Sequence, residues 1–341
     1  MQLPLTFSNK QPAKRTISVL AGDIGGTKTN LALFSIKGET LTTLKEASYK
    51  SQNYESFTRI VDDFLKDTSL PETICIGVAG PVLNGKVKLT NLVWEIDEHE
   101  IASHFGISSV HLINDLEAAA YGLAMLENKD TLTVHEGMMD ASGNAAVISP
   151  GTGLGEAGLF WDGHFYHPLA TEGGHCDFAP RDRLDFELYE FLQYQFGHVS
   201  WERMVCGPGI FNIYRFLREE KGFEEPAWLG KKITAGDAPA IISQNVVNSI
   251  LCKETMQLFI RYLAFESANL VLKMKATGGL YIGGGIVPQM IPFFAEYQFN
   301  QFFCGSGRMN LLLEKVPVKI ILNTKAGLLG AAFYGVQKVL E

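Results

Sequence analysis

Much of what marks secreted, membrane-bound or nucleic-acid-binding chains is missing here. The five cysteines (Cys75, Cys176, Cys206, Cys252, Cys304) are odd in number, scattered and nowhere in a CxxC pair. A disulfide framework or a zinc site would need closer, paired spacing, so reduced thiols in a cytoplasmic protein are expected. No apolar run approaches the ~20 residues of a membrane-spanning helix. Lys and Arg number 29 against 37 Asp and Glu, a formal charge of −8, which argues against broad binding to nucleic-acid phosphates. Residues 1–15 carry Lys10, Lys14 and Arg15 but no apolar segment behind them. They read as a flexible extension rather than a secretory signal. No GxxxxGK[ST] is present, and Lys28 follows Gly26-Thr27 in the wrong order for one, so a P-loop is excluded.

The 341 residues, 46% of them hydrophobic, suggest two packed domains. Thr16 to Leu20 reads as a strand leading into a glycine turn, and Asn30 to Ile36 as the strand that leaves it. Ser56 to Leu65 has helical spacing, Thr73 to Val78 is a buried strand, and Val110 to Ile113 is a short strand that ends in Asn114-Asp115. A helical pattern follows from Glu117 to Leu123. The cycle then restarts: strand Ala145 to Ile148, glycine turn, strand Glu156 to Trp161. Leu184 to Phe196 is an amphipathic helix, and Ala240 to Lys275 reads as one long helical stretch stopped by Gly278-Gly279. Strands at Leu280 to Ile282 and Val318 to Leu322 precede a helix from Ala326 to Val339. Two glycine-rich strand–turn–strand units, each followed by mixed strand and helix, indicate a duplicated α/β architecture, although no repeat of fixed period is evident.

A glycine-rich turn presents several main-chain N–H groups without side chains in the way, a concave site for phosphate oxygens. In the first turn Gly25 and Gly26 supply the amides, Thr27 a hydroxyl, and Asp23 a carboxylate able to hold Mg²⁺, which favours one or two carboxylates and retained waters. Gly151, Thr152 and Gly153 form a second such turn. Two clamps of this kind would grip the β- and γ-phosphates of a nucleotide. Either turn alone could be a plain hairpin; two of them, with Gly283-Gly284-Gly285 further on, favour the ligand. The run Gly153 to Gly158 matches GxGxxG literally, but a strand follows where a dinucleotide fold needs a helix, so the match is read as accidental.

Phosphoryl transfer asks for positioning, charge neutralisation and one base. Asp115 stands at the C-terminal edge of a buried strand, where ligands of open α/β sheets collect. Residue type alone would favour a helix N-cap there. Asn114 has the donor and acceptor groups that suit a sugar hydroxyl. Glu172 and His175 flank a glycine pair and could converge on a small polar ligand; Glu202, taken alone, reads as a solvated surface glutamate. His164, His167, His175 and Cys176 match none of the usual zinc spacings.

Eight segments in order resemble the hexokinase-type bacterial glucokinase family: DIGGT from Asp23, GVAGPV from Gly77, TNLVW from Thr90, INDLEA from Ile113, GTGLG from Gly151, EGGHCDFAP from Glu172, GHVSWERMVCGPG from Gly197 and IGGGIVP from Ile282. The resemblance runs from about Val19 to Val339. It implies a two-domain actin/hexokinase-like (ribonuclease H-like) α/β fold with an interdomain cleft: a small domain from 16–122 plus 326–341 and a large one from 123–325. It implies ATP-dependent phosphorylation of glucose at the 6-hydroxyl, with Asp115 as general base. Sugar hydroxyls would be bound by Asn114, Glu172, His175 and Glu202, with Asn91 nearby. Asp23, Gly25, Gly26, Thr27 and Gly151 to Gly153 would hold ATP and Mg²⁺, and Gly283 to Gly285 the adenosine. A cytoplasmic homodimer is implied as well.

The family often has Asn-Ala where Lys28-Thr29 follows DIGGT. The GGTK form is similar to that of the related repressor, open-reading-frame and kinase group, whose CxCGxxGCxE zinc motif is absent here. Rival readings are a kinase for mannose, fructose or N-acetylglucosamine, and a non-catalytic sugar sensor. The sensor would need a DNA-binding helix-turn-helix, for which the short polar N-terminus has no room, and would not need Asp115.

Overall fold

The computed structural model describes residues 13–25, 28–38, 40–89, 92, 94–138 and 142–341. They fall into two compact units. The first comprises residues up to Thr131, Leu159–Ala170 and Asn323–Glu341; the second comprises Leu132–Gly158 and Thr171–Leu322. The expected small domain, 16–122 with 326–341, overlaps the first unit, which also takes in 123–131, 159–170 and 323–325.

In the first unit β1 (Ala13–Ile24), β2 (Lys28–Gly38) and β3 (Thr40–Lys50) form an antiparallel meander. β4 (Thr73–Val78) lies parallel to β1, and a later strand, Ser109–Asn114, lies parallel to β4. Between them β5 (Lys86–Lys88) and β6 (Glu95–Asp97) make a small antiparallel pair, so Ser109–Asn114 is β7. The sheet order is β3-β2-β1-β4-β7. β4 is buried along its whole length, as expected for a central parallel strand covered on both faces. β1 begins at Ala13, inside the stretch read as an extension. β3 was not foreseen; its exposed, largely polar pattern carries no strand signal.

Helices cover both faces. α1 (Phe57–Leu65) is capped by Ser56 and buries Phe57, Ile60, Val61, Phe64 and Leu65 at helical spacing. It packs with Leu20, Ile74, Ile76, Trp94 and Leu112 in one core cluster, together with Ile101 of α2 (Glu98–Phe105). On the other face the C-terminal helix, Ala326–Leu340, packs Leu328, Ala331, Ala332 and Val336 against Val19, Ala21, Cys75 and Ile113. It also lies along α3 (Asp115–Gly122).

The second sheet has the order β11-β10-β9-β12-β13-β8, built from β8 (Thr131–His135), β9 (Ala145–Pro150), β10 (Leu154–Trp161), β11 (Tyr166–Thr171), β12 (Gly279–Ile282) and β13 (Val318–Ile321). β9, β12 and β13 are parallel neighbours. Read from β11 to β13, the strands repeat the third-second-first-fourth-fifth order of the first sheet. The duplication suspected from two glycine turns is therefore present in the topology. β10 occupies the place where the GxGxxG reading would need a helix, and that reading is excluded.

α4 (Arg183–Phe196) and α5 (Gly207–Glu219) are followed by α6 (Ala227–Ala235), α7 (Ala238–Gln244) and α8 (Ile250–Met274). The expected single helix over 240–275 is two, corrected by Asn245, whose amide donates to the Ile241 carbonyl at 2.7 Å. Ser249 then caps α8 anew. α8 ends at Lys275 in the left-handed region (φ 49°), three residues before the glycines read as its stop. It supplies Phe259, Tyr262, Leu263 and Val271 to the core of this unit.

Candidate functional site

In the first unit the end of β1 carries Asp23, opposite Asn30 on β2 and Gly77 on β4. Asn30 Nδ2 donates to Asp23 Oδ2 at 3.4 Å, while Ser48 Oγ donates to Asn30 Oδ1 at 2.8 Å. Burial raises the Asp23 carboxyl above the ordinary carboxylate range, and the Asn30 bond offsets this only in part. Gly25 N–H donates to the Lys28 carbonyl at 2.9 Å, closing the turn. Gly26 and Thr27 lie outside the described residues, as does Asn91.

Asn114 ends β7 and begins α3. Its Oδ1 accepts the N–H groups of Leu116 (2.9 Å) and Glu117 (3.3 Å), and its Nδ2 donates to the Gly80 carbonyl at 3.3 Å. The amide is buried and largely committed to the backbone. Asn114 is thus the N-cap, the role that residue type alone would have given to Asp115. Asp115 is the first helical residue, half-buried, with Oδ1 2.9 Å from the Leu116 N–H. It stands at the positive end of the α3 dipole, which favours a carboxylate.

The second unit gathers most of its expected residues around Glu202. Glu202 lies in a 3-10 turn, Trp201–Arg203, fixed by the buried Trp201 ring edge-on to Phe178 with centroids 4.9 Å apart. Its Oε2 accepts the Leu154 N–H at 2.9 Å, immediately after the Gly151-Thr152-Gly153 turn. Its Oε1 stands 4.0 Å from His175 Nδ1. Far from a solvated surface glutamate, it ties the glycine turn to the histidine. Another 3-10 turn, Gly173–His175, is closed by the His175 N–H donating to the Glu172 carbonyl at 3.0 Å. Gly151 is braced by two main-chain bonds of 2.8 Å, one to the Gly153 carbonyl and one from the Gly207 N–H.

Gly283 N–H donates to the Ile148 carbonyl at 2.8 Å, so the triple glycine lies beside the end of β9. Gly284 has φ 95°, and a Cβ there would stand 2.1 Å from the Pro150 carbonyl oxygen. Only glycine serves this position. Gly151 to Gly153 and Gly283 to Gly285 therefore meet at the carboxyl ends of parallel strands β9 and β12, where α/β sheets receive ligands. Among the described residues no group of three or more His, Cys, Asp and Glu could hold a metal ion. Residue patterns alone missed Asn30 as the partner of Asp23, and they missed a buried carboxyl, Glu156, set within an apolar strand.

A family model described as Glucokinase matches residues 20–338. A glucokinase from Trichormus variabilis is 40% identical over 333 residues, covering 92% of this chain and 97% of the relative. The crystal structure of a glucokinase from an Antarctic psychrotroph superposes with TM-score 0.80 at 31% identity, over 93% of this chain and 98% of that one. A ROK-family glucokinase from Streptomyces griseus, solved with glucose and AMPPNP, has TM-score 0.62 at 19% identity over 94% and 99% of the two chains, and shows the fold alone. The fold is that of the actin-like ATPases, in agreement with the duplicated strand order. No helix among the described residues is long and apolar enough to cross a membrane.

Proposed function

The chain belongs to the glucokinase family, and from that premise we propose that it transfers the γ-phosphoryl group of ATP to the 6-hydroxyl of glucose with Asp115 as the general base. The observation that carries the reading is the placement of Asp115: Asn114 supplies the cap of α3, and Asp115 stands half-buried as its first residue at the C-terminal edge of β7. A carboxylate at that sheet edge can accept the proton of the attacking hydroxyl as the bond to phosphorus forms.

Glu172, His175 and Glu202 are assigned to the sugar hydroxyls, and Asn114 contributes its remaining amide hydrogen. The close approach of Glu202 to the Gly151–Gly153 turn links sugar binding to phosphate binding. The main-chain amides of that turn and of Gly25, with Gly26 and Thr27, are assigned to the phosphates, and Gly283 to Gly285 to the adenosine. Asp23 would hold a magnesium ion: among the described residues its carboxyl accepts one neutral amide, from Asn30, which leaves oxygen lone pairs for a cation. Bound there, magnesium would neutralise charge on the β- and γ-phosphates. The five free thiols support a reducing, cytoplasmic setting; a homodimer rests on family resemblance.

A coupled ADP-release assay tests the reading across glucose, mannose, fructose and N-acetylglucosamine, with ATP, GTP and polyphosphate as donors. Glucose with ATP should give the highest kcat/KM. A higher value for another hexose would move the substrate assignment, and no ADP release with any of them would end it.

A further inference from the structure

Beneath the Glu172–His175 turn lies a pair of carboxyl groups that the reaction above does not use. Glu156 on β10 is 1% exposed and Glu266 on α8 is 0% exposed. Each lies in the other's field, and taking two carboxylates out of water side by side favours a proton on one of them. Lys273 Nζ pairs with Glu266 Oε1 at 3.1 Å, and Asn269 Nδ2 donates to Glu266 Oε2 at 2.8 Å. Arg181 and the Cys176 thiol are the charged and titratable groups that face this cluster from the segment after the turn. Glu156 Oε1 is buried and has no partner. Burial, with the neighbouring Glu266, pushes Glu156 up to about 8.

The pair is in direct contact with the turn. A Cβ on Gly173 would stand 2.1 Å from Glu156 Oε2, so the bare glycine backbone rests on the carboxyl. Gly173 N–H donates to Thr171 Oγ1 at 3.2 Å, and that hydroxyl donates to the Glu156 carbonyl at 2.9 Å. Glu172 and His175 flank the two glycines seated this way.

We propose that Glu156 is a positioning residue for sugar binding: the Glu156–Glu266 pair seats the Glu172–His175 turn while it holds one shared proton, and unseats it when that proton is lost. The inference rests on reading the turn as part of the sugar site. With the proton present, only one carboxylate of the pair is charged, and Lys273 is paired with it at Glu266. Without it, two buried carboxylates repel each other, and Glu156 Oε2 already abuts Gly173. Glucose then binds the protonated fraction only, and apparent affinity falls with that fraction. A pair titrating near 8 predicts a glucose Kd that rises about tenfold between pH 7 and pH 9.

Glucose calorimetry without nucleotide, from pH 6.5 to 9.5, on the wild type, Glu156→Gln and Glu266→Gln decides the matter. Gln keeps the shape and stays neutral, leaving a single carboxylate opposite Lys273. Each variant should bind glucose as the wild type does at pH 7 and lose the rise at pH 9. A contribution from His175 is common to all three proteins, and KM should follow the same pattern while kcat does not. Two variants guard against one failing to fold. A rise in the variants equal to that of the wild type would overturn the proposal. Absence of glucose binding by the wild type at pH 7 would overturn the sugar-site reading and the inference with it.

Discussion

The two large sheets share a third-second-first-fourth-fifth run of strands, yet the ends of those strands are furnished differently. In the first sheet they carry carboxylates: Asp23 near the end of β1, hydrogen-bonded by the Asn30 amide, and Asp115 just after β7, first residue of the helix that Asn114 caps. In the second they end in glycines, Gly151 to Gly153 after β9 and Gly283 to Gly285 after β12, with Glu202 bonded to the amide that follows the first turn. Under the proposed function, the first sheet supplies the carboxylates for proton and cation work, and the second supplies the turns beside the sugar and nucleotide. Changes in the first unit should therefore fall on kcat, and changes in the second on KM.

Gly330→Ala is the harshest test of the first half. A Cβ there would stand 1.7 Å from the Ala118 carbonyl oxygen and 2.5 Å from the Gly122 nitrogen. Both are backbone of α3, which no rotamer change can move. Overpacking of this kind costs about 3 kcal/mol, read as a lower urea midpoint. Because α3 carries Asp115 at its first position, whatever folds should lose kcat at unchanged KM for glucose; a raised KM with intact kcat would break the division. Glu202→Ala has a smaller expected effect. It removes the acceptor for the Leu154 N–H and, under the proposed function, a sugar ligand with it. Loss of charged hydrogen bonds, at about 1.5–3 kcal/mol, corresponds to a KM for glucose raised about 10- to 100-fold, with kcat much less affected. Equal losses in kcat and kcat/KM would instead mark a transition-state contact.

Legibility in the sequence followed how local each signal was. Buried parallel strands such as Thr73–Val78 and helices with one apolar face such as Arg183–Phe196 announced themselves through short-range pattern. β3 did not, because its largely polar, exposed pattern has no face to betray it. The break between α7 and α8 depends on Asn245 and Ser249, polar residues that an apolar-period reading passes over. At the site, the glycine turns and the Asn114-Asp115 pair could be picked out, but not which of the two caps α3, since either side chain can do so. Glu202 gave no sign of its tie to Leu154, 48 residues earlier. Glu156 was hidden more deeply: its burial is set by α8, more than a hundred residues away, and strand pattern alone would have put an acid of that kind at the surface.

The central claim is that Asp115 takes the proton from the acceptor hydroxyl. The direct test measures Asp115→Asn twice, as kcat at saturating glucose and ATP and as glucose affinity by calorimetry. The account predicts a kcat about 10²-fold lower or worse with glucose affinity close to that of the wild type. Turnover at the wild-type rate would contradict it.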